Sequence, residues 1–255
     1  MYERLGYVFE KTFVILIVVL AWELIPRFNL VDNFIIPPFS IVVKALVKLL
    51  LSGELLIHLW ASIQRTISGF LLAVLIAVPL GVAMGWFGKV ERMLDPLFQI
   101  LRSTSVLAMF PIFILFFGLG ELSKIAIIFW GAFWPALINT IDGVKGIEPI
   151  LVKSARSMGV NSFMLFRKVI LPAVTPSILT GLRLSAGMSI IILVAAEMVG
   201  ANRGMGFYIF YEQQKYEVPQ MYAGIVAISL FGWFVNSILI RLEKYLTRWK
   251  EQVTH

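Results

Sequence analysis

Apolar residues run in long unbroken stretches along this chain, and short polar clusters interrupt them at wide intervals. A helix needs about 20 mostly apolar residues to cross about 30 Å of hydrocarbon. That length predicts about six transmembrane helices, at roughly 9–27, 59–87, 99–119, 122–142, 173–199 and 220–242. The runs are continuous rather than alternating, so the pattern is not that of a β-barrel. The fold class is an all-α polytopic membrane protein, a single transmembrane domain over 1–255 with core spans at 59–242. The first apolar run, Phe13 to Leu20, has the length of a signal-peptide core. Glu23 and Pro26 follow it without a small-residue cleavage site, so it reads as an uncleaved first span.

Two segments between the long apolar runs have helical patterns of their own. Residues 40–52 follow Ile36-Pro37-Pro38 and end before Gly53, with Lys44 and Lys48 one turn apart. This suits a short amphipathic helix on a membrane surface. The loop 143–172 holds a basic island, 153–172, in a chain with few charges elsewhere. Pro149 opens a helix over Glu148–Met158 and Gly159 stops it. Asn161 or Ser162 caps a second helix over Phe163–Ile170, and Pro172 is expected to separate it from the next span. Leu151, Met158, Phe163 and Phe166 then project among basic residues. On spacing alone two readings stand: a docking surface for a partner outside the membrane, or an ordinary basic inter-span loop.

The chain is 59% hydrophobic, and charged residues make up 15%. Mean hydropathy is +0.88. Net charge is +7, which in so apolar a chain belongs to the loops and sets topology; it does not point to nucleic acid. Fourteen of the 22 Lys and Arg residues fall on the side of the N-terminus and the 143–172 loop. The positive-inside rule places that loop, both termini and the tail 243–255 in the cytoplasm. Cysteine is absent and the two histidines, His58 and His255, are far apart. No His-Glu-x-x-His pair and no Gly-x-x-x-x-Gly-Lys-Ser/Thr loop occurs, so neither catalytic nor metal-ligating residues are assigned. A stand-alone channel and an intramembrane hydrolase are the rival classes.

The island reads Lys153-Ser154-Ala155, three residues, Gly159, then Val169-Ile170-Leu171-Pro172. It resembles the loop Glu-Ala-Ala, three residues, Gly, nine residues, Ile-x-Leu-Pro of the permease subunits of ATP-binding cassette importers. Lys153 and Ser154 depart from the first two positions. The resemblance extends to Pro176–Arg183, Leu193–Met198, Gly204–Phe207, Ile36–Pro38 and Phe117–Lys124, almost the whole chain. It looks like the branch serving nitrate, taurine, alkanesulfonates and bicarbonate, some relatives of which carry pyrimidine-type vitamin precursors or riboflavin.

The resemblance implies a type I importer permease fold in a bacterial or archaeal cytoplasmic membrane, paired with a second permease copy. Two ATPase subunits dock on a cytoplasmic coupling helix, here Lys153, Ser154, Ala155, Arg156 and Gly159 with Leu171 and Pro172. An extracytoplasmic solute-binding protein delivers the solute. No cofactor is bound by this chain, and ATP and Mg²⁺ belong to the partner.

The substrate route has weaker candidates. Charges inside spans are costly and face a cavity or a partner. Glu197 either lines the route or pairs with a basic residue such as Arg203. Arg65 attracts an anion, binds carbonyls or snorkels outward. Ser103, Thr104 and Ser105, after Arg102 and before Pro111, either satisfy backbone freed at a kink or line a gate. Ser185 and Ser189 face the same path or ease helix packing. Gly81-x-x-x-Gly85 reads as close helix contact.

Overall fold

The computed structural model describes residues 2–247, with side chains from Phe13 onward; Arg248, Lys250 and His255 of the predicted tail lie outside them. Eleven α-helices form among the described residues. They are α1 (Tyr2–Arg27), α2 (Phe39–Leu51), α3 (Glu54–Trp86), α4 (Gly88–Ser103), α5 (Phe110–Phe117), α6 (Glu121–Lys145), α7 (Pro149–Ser157), α8 (Ser162–Leu165), α9 (Leu171–Met198), α10 (Met205–Gln214) and α11 (Val218–Leu246).

Among the described residues four helices are long and apolar enough to cross a membrane: α3, α6, α11, and a continuous stretch from Ser162 to Met198. A fifth crossing is broken. The segments Gly88–Ser103 and Leu107–Phe117 meet at 90°, so the predicted third span, 99–119, is not a straight helix. Helix α1 contains the whole of the predicted first span, 9–27. The uncharged run of α1, Thr12 to Trp22, covers about 16 Å at 1.5 Å per residue. Beyond it, Glu23 accepts from the backbone N–H and hydroxyl of Ser40 at 2.8 and 2.9 Å and pairs with Arg27 at 2.5 Å. These bonds tie α1 to the start of α2. Val42 and Leu49 of α2 are buried, while Lys44 and Lys48 are exposed as the amphipathic pattern requires.

Small residues decide how the crossings pack. Gly69, Ala73, Ala77, Gly81 and Gly85 form one stripe of α3, and α6 lies along it. A methyl added at Gly69, Gly81 or Gly85 would come within 2.6–2.8 Å of Ile128, Thr140 or Val144. The Gly81–Gly85 pattern is therefore contact surface. Close approach drives association where burial of apolar area cannot, since lipid is as apolar as the interior.

Two levels of charge lie along α6. At one end Arg65, Lys124 and Glu197 lie together; at the other Lys145 pairs with Glu91 of α4, while the pair of Arg183 with Glu243 of α11 sits between the two levels, where α9 packs on residues 132–139. Along α6 the interval from Lys124 to Asp142 is about 27 Å, close to hydrocarbon thickness. The α7–α8 hairpin lies beyond the Lys145 end.

The broken crossing can be followed through this slab. Glu91 sits level with Lys145, and Phe98 makes edge contacts with Phe133 and Trp134, three turns up α6. The chain breaks at Thr104, Val106 touches the Gly131 position, Phe113 meets Trp130, and Leu119 reaches Gly200. Thus α4 climbs to mid-depth, turns sharply, and α5 completes the passage.

Candidate functional site

The hairpin is built much as its spacing predicts. Pro149 starts α7, and Gly159 turns the chain at φ +75°, a left-handed value that costs other residues about 1–2 kcal/mol. The Asn161 side chain accepts from the Met164 N–H at 2.8 Å and caps α8. Ala155, Leu165, Ile170 and Val174 bury together with Val144 and hold the hairpin against the end of α6. Its outer surface presents Met158, 75% exposed, and Phe163, 72% exposed, among the exposed charges Lys153, Arg156, Arg167 and Lys168. Ser154 and Gly159 are exposed with them, whereas Ala155 is buried and acts inside the hairpin.

Pro172 does not break the chain. Residues Phe166–Ile170 form a π-turn that runs straight into α9, and the Leu171 N–H donates to the Phe166 carbonyl. A π-turn widens the helix by one residue and absorbs the N–H that proline lacks. Leu171 and Pro172 therefore belong to an uninterrupted rod joining the hairpin to the core.

At the opposite end the candidate charges converge. Glu197 is fully buried. It accepts from Arg65 Nη1 at 2.7 Å, from the Ser62 hydroxyl within 2.8 Å of both oxygens, and from the Gly206 N–H at 2.9 Å. Its partner is Arg65, not Arg203. Arg65 in turn donates to both oxygens of Glu121, at 2.5 and 2.7 Å, and to the Arg203 carbonyl at 2.6 Å. It is 4% exposed and does not snorkel.

Lys124, 2% exposed, donates to the carbonyls of Leu119, Gly120 and Gly200 at 3.0–3.4 Å. The cluster joins α3, α6, α9 and the loop leading to α10, beside an open cleft of about 700 Å³. Arg65 and Glu197 act there first as structure, since each charge is satisfied.

Ser185 and Ser189 are also turned inward. The Ser185 hydroxyl donates to the Ala132 carbonyl at 2.7 Å, that of Ser189 to the Ser185 carbonyl at 2.8 Å, and both are fully buried between helices. Ser103 and Thr104 bond back to the Ile100 carbonyl at 2.7 and 3.3 Å, closing the end of α4 where it breaks. Ser103 and Ser105 are exposed at that break. Ser62 and Glu121 escaped sequence reasoning, although Ser62 lies one turn from Arg65 and on its face. The helix α10, between the predicted spans 173–199 and 220–242, also went unread.

Comparison with known proteins gives these features a family. Residues 69–252 match the family described as binding-protein-dependent transport system inner membrane component. A putative aliphatic sulfonates transport permease, SsuC of Bacillus subtilis, is 37% identical over 92% of this chain and 85% of its own length. The taurine transport system permease TauC of Escherichia coli is 32% identical over 91% of this chain and 86% of its own. The formylaminopyrimidine transport permease ThiX of Halalkalibacterium halodurans is 30% identical over 95% and 96%.

A solved structure of the MetNI methionine ABC transporter in inward-facing conformations superposes with a TM-score of 0.62. It covers 74% of this chain and 94% of that chain at 19% identity, a likeness of fold. The chain therefore belongs to the binding-protein-dependent transport inner membrane components: it is the multi-pass permease subunit of an ATP-binding cassette importer, not an enzyme, and ATP is hydrolysed on a separate subunit.

Proposed function

We propose that this permease imports a small organic sulfonate through a homodimer whose two α7–α8 hairpins each engage one ATPase subunit. The carrying observation is the hairpin itself: exposed Met158 and Phe163 among Lys153, Arg156, Arg167 and Lys168, fixed to the end of one rod from Ser162 to Met198. Exposed apolar side chains ringed by charge suit a protein groove. A rod rooted in that hairpin carries its displacement into the slab. Closing of the ATPases on ATP then biases a rigid-body change between two states of the permease pair.

Lys153, Ser154, Arg156 and Gly159 meet the ATPase, Ala155 braces the hairpin, and Leu171 and Pro172 pass the motion to α9. ATP and Mg²⁺ are held by the ATPase, and this chain binds no cofactor. A solute-binding protein presents the solute at the end carrying the Arg65 cluster. The hairpin and both termini then face the cytoplasm of a bacterium or archaeon, in line with the charge bias.

Sulfonate as the cargo rests on the relatives named for aliphatic sulfonates and taurine. The relative named for formylaminopyrimidine supports a neutral heterocycle as the second reading. Calorimetry on the solute-binding protein encoded with this chain separates them: it is expected to take taurine or ethanesulfonate. A pocket that takes only the pyrimidine overturns the sulfonate reading.

A further inference from the structure

The guanidinium of Arg65 has two edges, and the fold treats them differently. One nitrogen, Nη1, is held by the fully buried Glu197 at 2.7 Å and by the Arg203 carbonyl at 2.6 Å. The other edge, Nε with Nη2, is a fork that the two oxygens of Glu121 fill at 2.5 and 2.7 Å. Arg65 is 4% exposed, whereas the Glu121 side chain is 63% exposed. A buried cation, fixed from behind, thus presents a planar pair of donors that a solvent-facing carboxylate occupies.

Such a fork suits any oxyanion that can accept two parallel N–H bonds. Glu121 holds it weakly, since an ion pair with so exposed a partner contributes about 0–1 kcal/mol. The carboxylate can also leave without unpacking its helix. Glu121 opens α6, and the next residues, Ser123 and Lys124, are buried and bond to the carbonyls of Gly120 and Gly200. A change of side-chain rotamer is enough to free the fork.

The surroundings add to the chemistry of the fork. Arg65 and Glu121 both line the open cleft of about 700 Å³, at the end of the molecule opposite the hairpin. Gln64, Asn202 and Arg203 line it too; all three are exposed, and their side chains make no hydrogen bond among the described residues. Arg65, Lys124 and Arg203 outnumber Glu121 and the buried Glu197 there. Trp60 and Leu119, each 61% exposed, supply apolar wall. A ligand with an anionic head and a short apolar body matches this lining. A neutral ring could not replace the charge that Glu121 withdraws.

We infer that the Arg65 fork is an entry subsite for the oxyanion head of the solute, and that Glu121 is the internal anion the solute displaces. The inference rests on the sulfonate-import reading for the ligand and adds its first contact with the permease. Before the solute arrives, Glu121 keeps a buried arginine paired. Its weak hold lets a sulfonate take its place at little cost. Lys124 stays out of the exchange, because its ammonium is engaged by the carbonyls of Leu119, Gly120 and Gly200.

The test is calorimetric titration of the purified permease–ATPase complex with ethanesulfonate and with its neutral isostere, ethanesulfonamide. Glu121→Ala should bind ethanesulfonate about fivefold more tightly than wild type, which matches the loss of a competitor worth about 1 kcal/mol. The amide should bind neither protein. Arg65→Lys keeps the charge but loses the fork, and added to Glu121→Ala it should abolish the gain. If that double variant does not fold, the amide comparison on Glu121→Ala decides alone. No gain in Glu121→Ala, or equal binding of the amide, overturns the subsite. Tighter docking of the solute-free binding protein on Glu121→Ala, with ethanesulfonate binding unchanged, also overturns it and assigns the fork to a carboxylate of that protein. The expected gain without sulfonate uptake by proteoliposomes of the complete complex overturns the import reading and leaves the subsite standing.

Discussion

Single residues bear unequal weight at the Arg65 cluster, and burial sets the order. Glu197 is fully enclosed, so removing its cation leaves an unpaired charge in a water-poor site, a loss of about 3–5 kcal/mol. Glu121 grips the same arginine, but its side chain is 63% exposed, and such pairs contribute about 0–1 kcal/mol. Arg65→Met should therefore lower the melting temperature of the purified permease far more than Glu121→Gln. Equal shifts would mean that Glu197 is already neutralised by its other donors. Glycine enters the same cluster at Gly204, whose φ is +129° and where a methyl would come within 2.3–2.6 Å of the Glu197 carboxylate. Gly204→Ala is expected to destabilise clearly, whereas Gly187→Ala, which opens onto empty space, should leave the melting temperature nearly unchanged. Sequence showed the costly in-span charges but not their pairing. Arg65 and Glu197 are 132 positions apart, and only tertiary packing brings them to 2.7 Å.

Elements were legible where a local rule governs them and opaque where two rules compete. Pro149, Gly159 and Asn161 each act on neighbours in sequence, and the hairpin they shape was readable. Pro172 was read as a break because a proline removes a helix hydrogen bond, yet the preceding π-turn takes up the defect. The same limit hid the 90° turn at Thr104, where apolar content alone reads as one straight span. Hydroxyls bonding back to Ile100 end α4 there. The π-turn invites a direct test. Pro172→Ala restores an N–H that can bond the Lys168 carbonyl, letting the turn relax to α geometry and rotating the hairpin against α9 by about one residue, near 100°. Binding of the ATPase should persist while taurine moved per ATP falls; unchanged coupling would show that the rod does not carry the motion. Gly159→Val acts differently. It forces a side chain into a left-handed position with nothing nearby to clash, so the permease should still fold but recover less ATPase on co-purification. Full recovery would argue that the bend is not the contact.

The whole molecule is organised by its two charged levels, and orientation follows from which one faces the cytoplasm. The basic hairpin lies beyond Lys145 and Glu91, and the loop with Asn202 and Arg203 lies beyond Arg65 and Lys124. Moving the hairpin through the slab would carry Lys153, Arg156, Arg167 and Lys168 with it, each at a cost of at least about 2.5 kcal/mol at the centre. The arrangement, once inserted, is therefore fixed. The chain contains no cysteine, so single cysteines introduced at exposed positions report topology without further engineering. Asn202→Cys is expected to react with a membrane-impermeant maleimide added to intact cells. Ser157→Cys, on the hairpin, should react only after inside-out vesicles are prepared. The reverse pattern would place the hairpin on the side that holds no ATP, where no ATPase could drive the rod from Ser162 to Met198. Both labels reacting from outside would instead mean that the rod from Ser162 to Met198, the one long helix between Ser157 and Asn202 in the chain, does not cross the membrane.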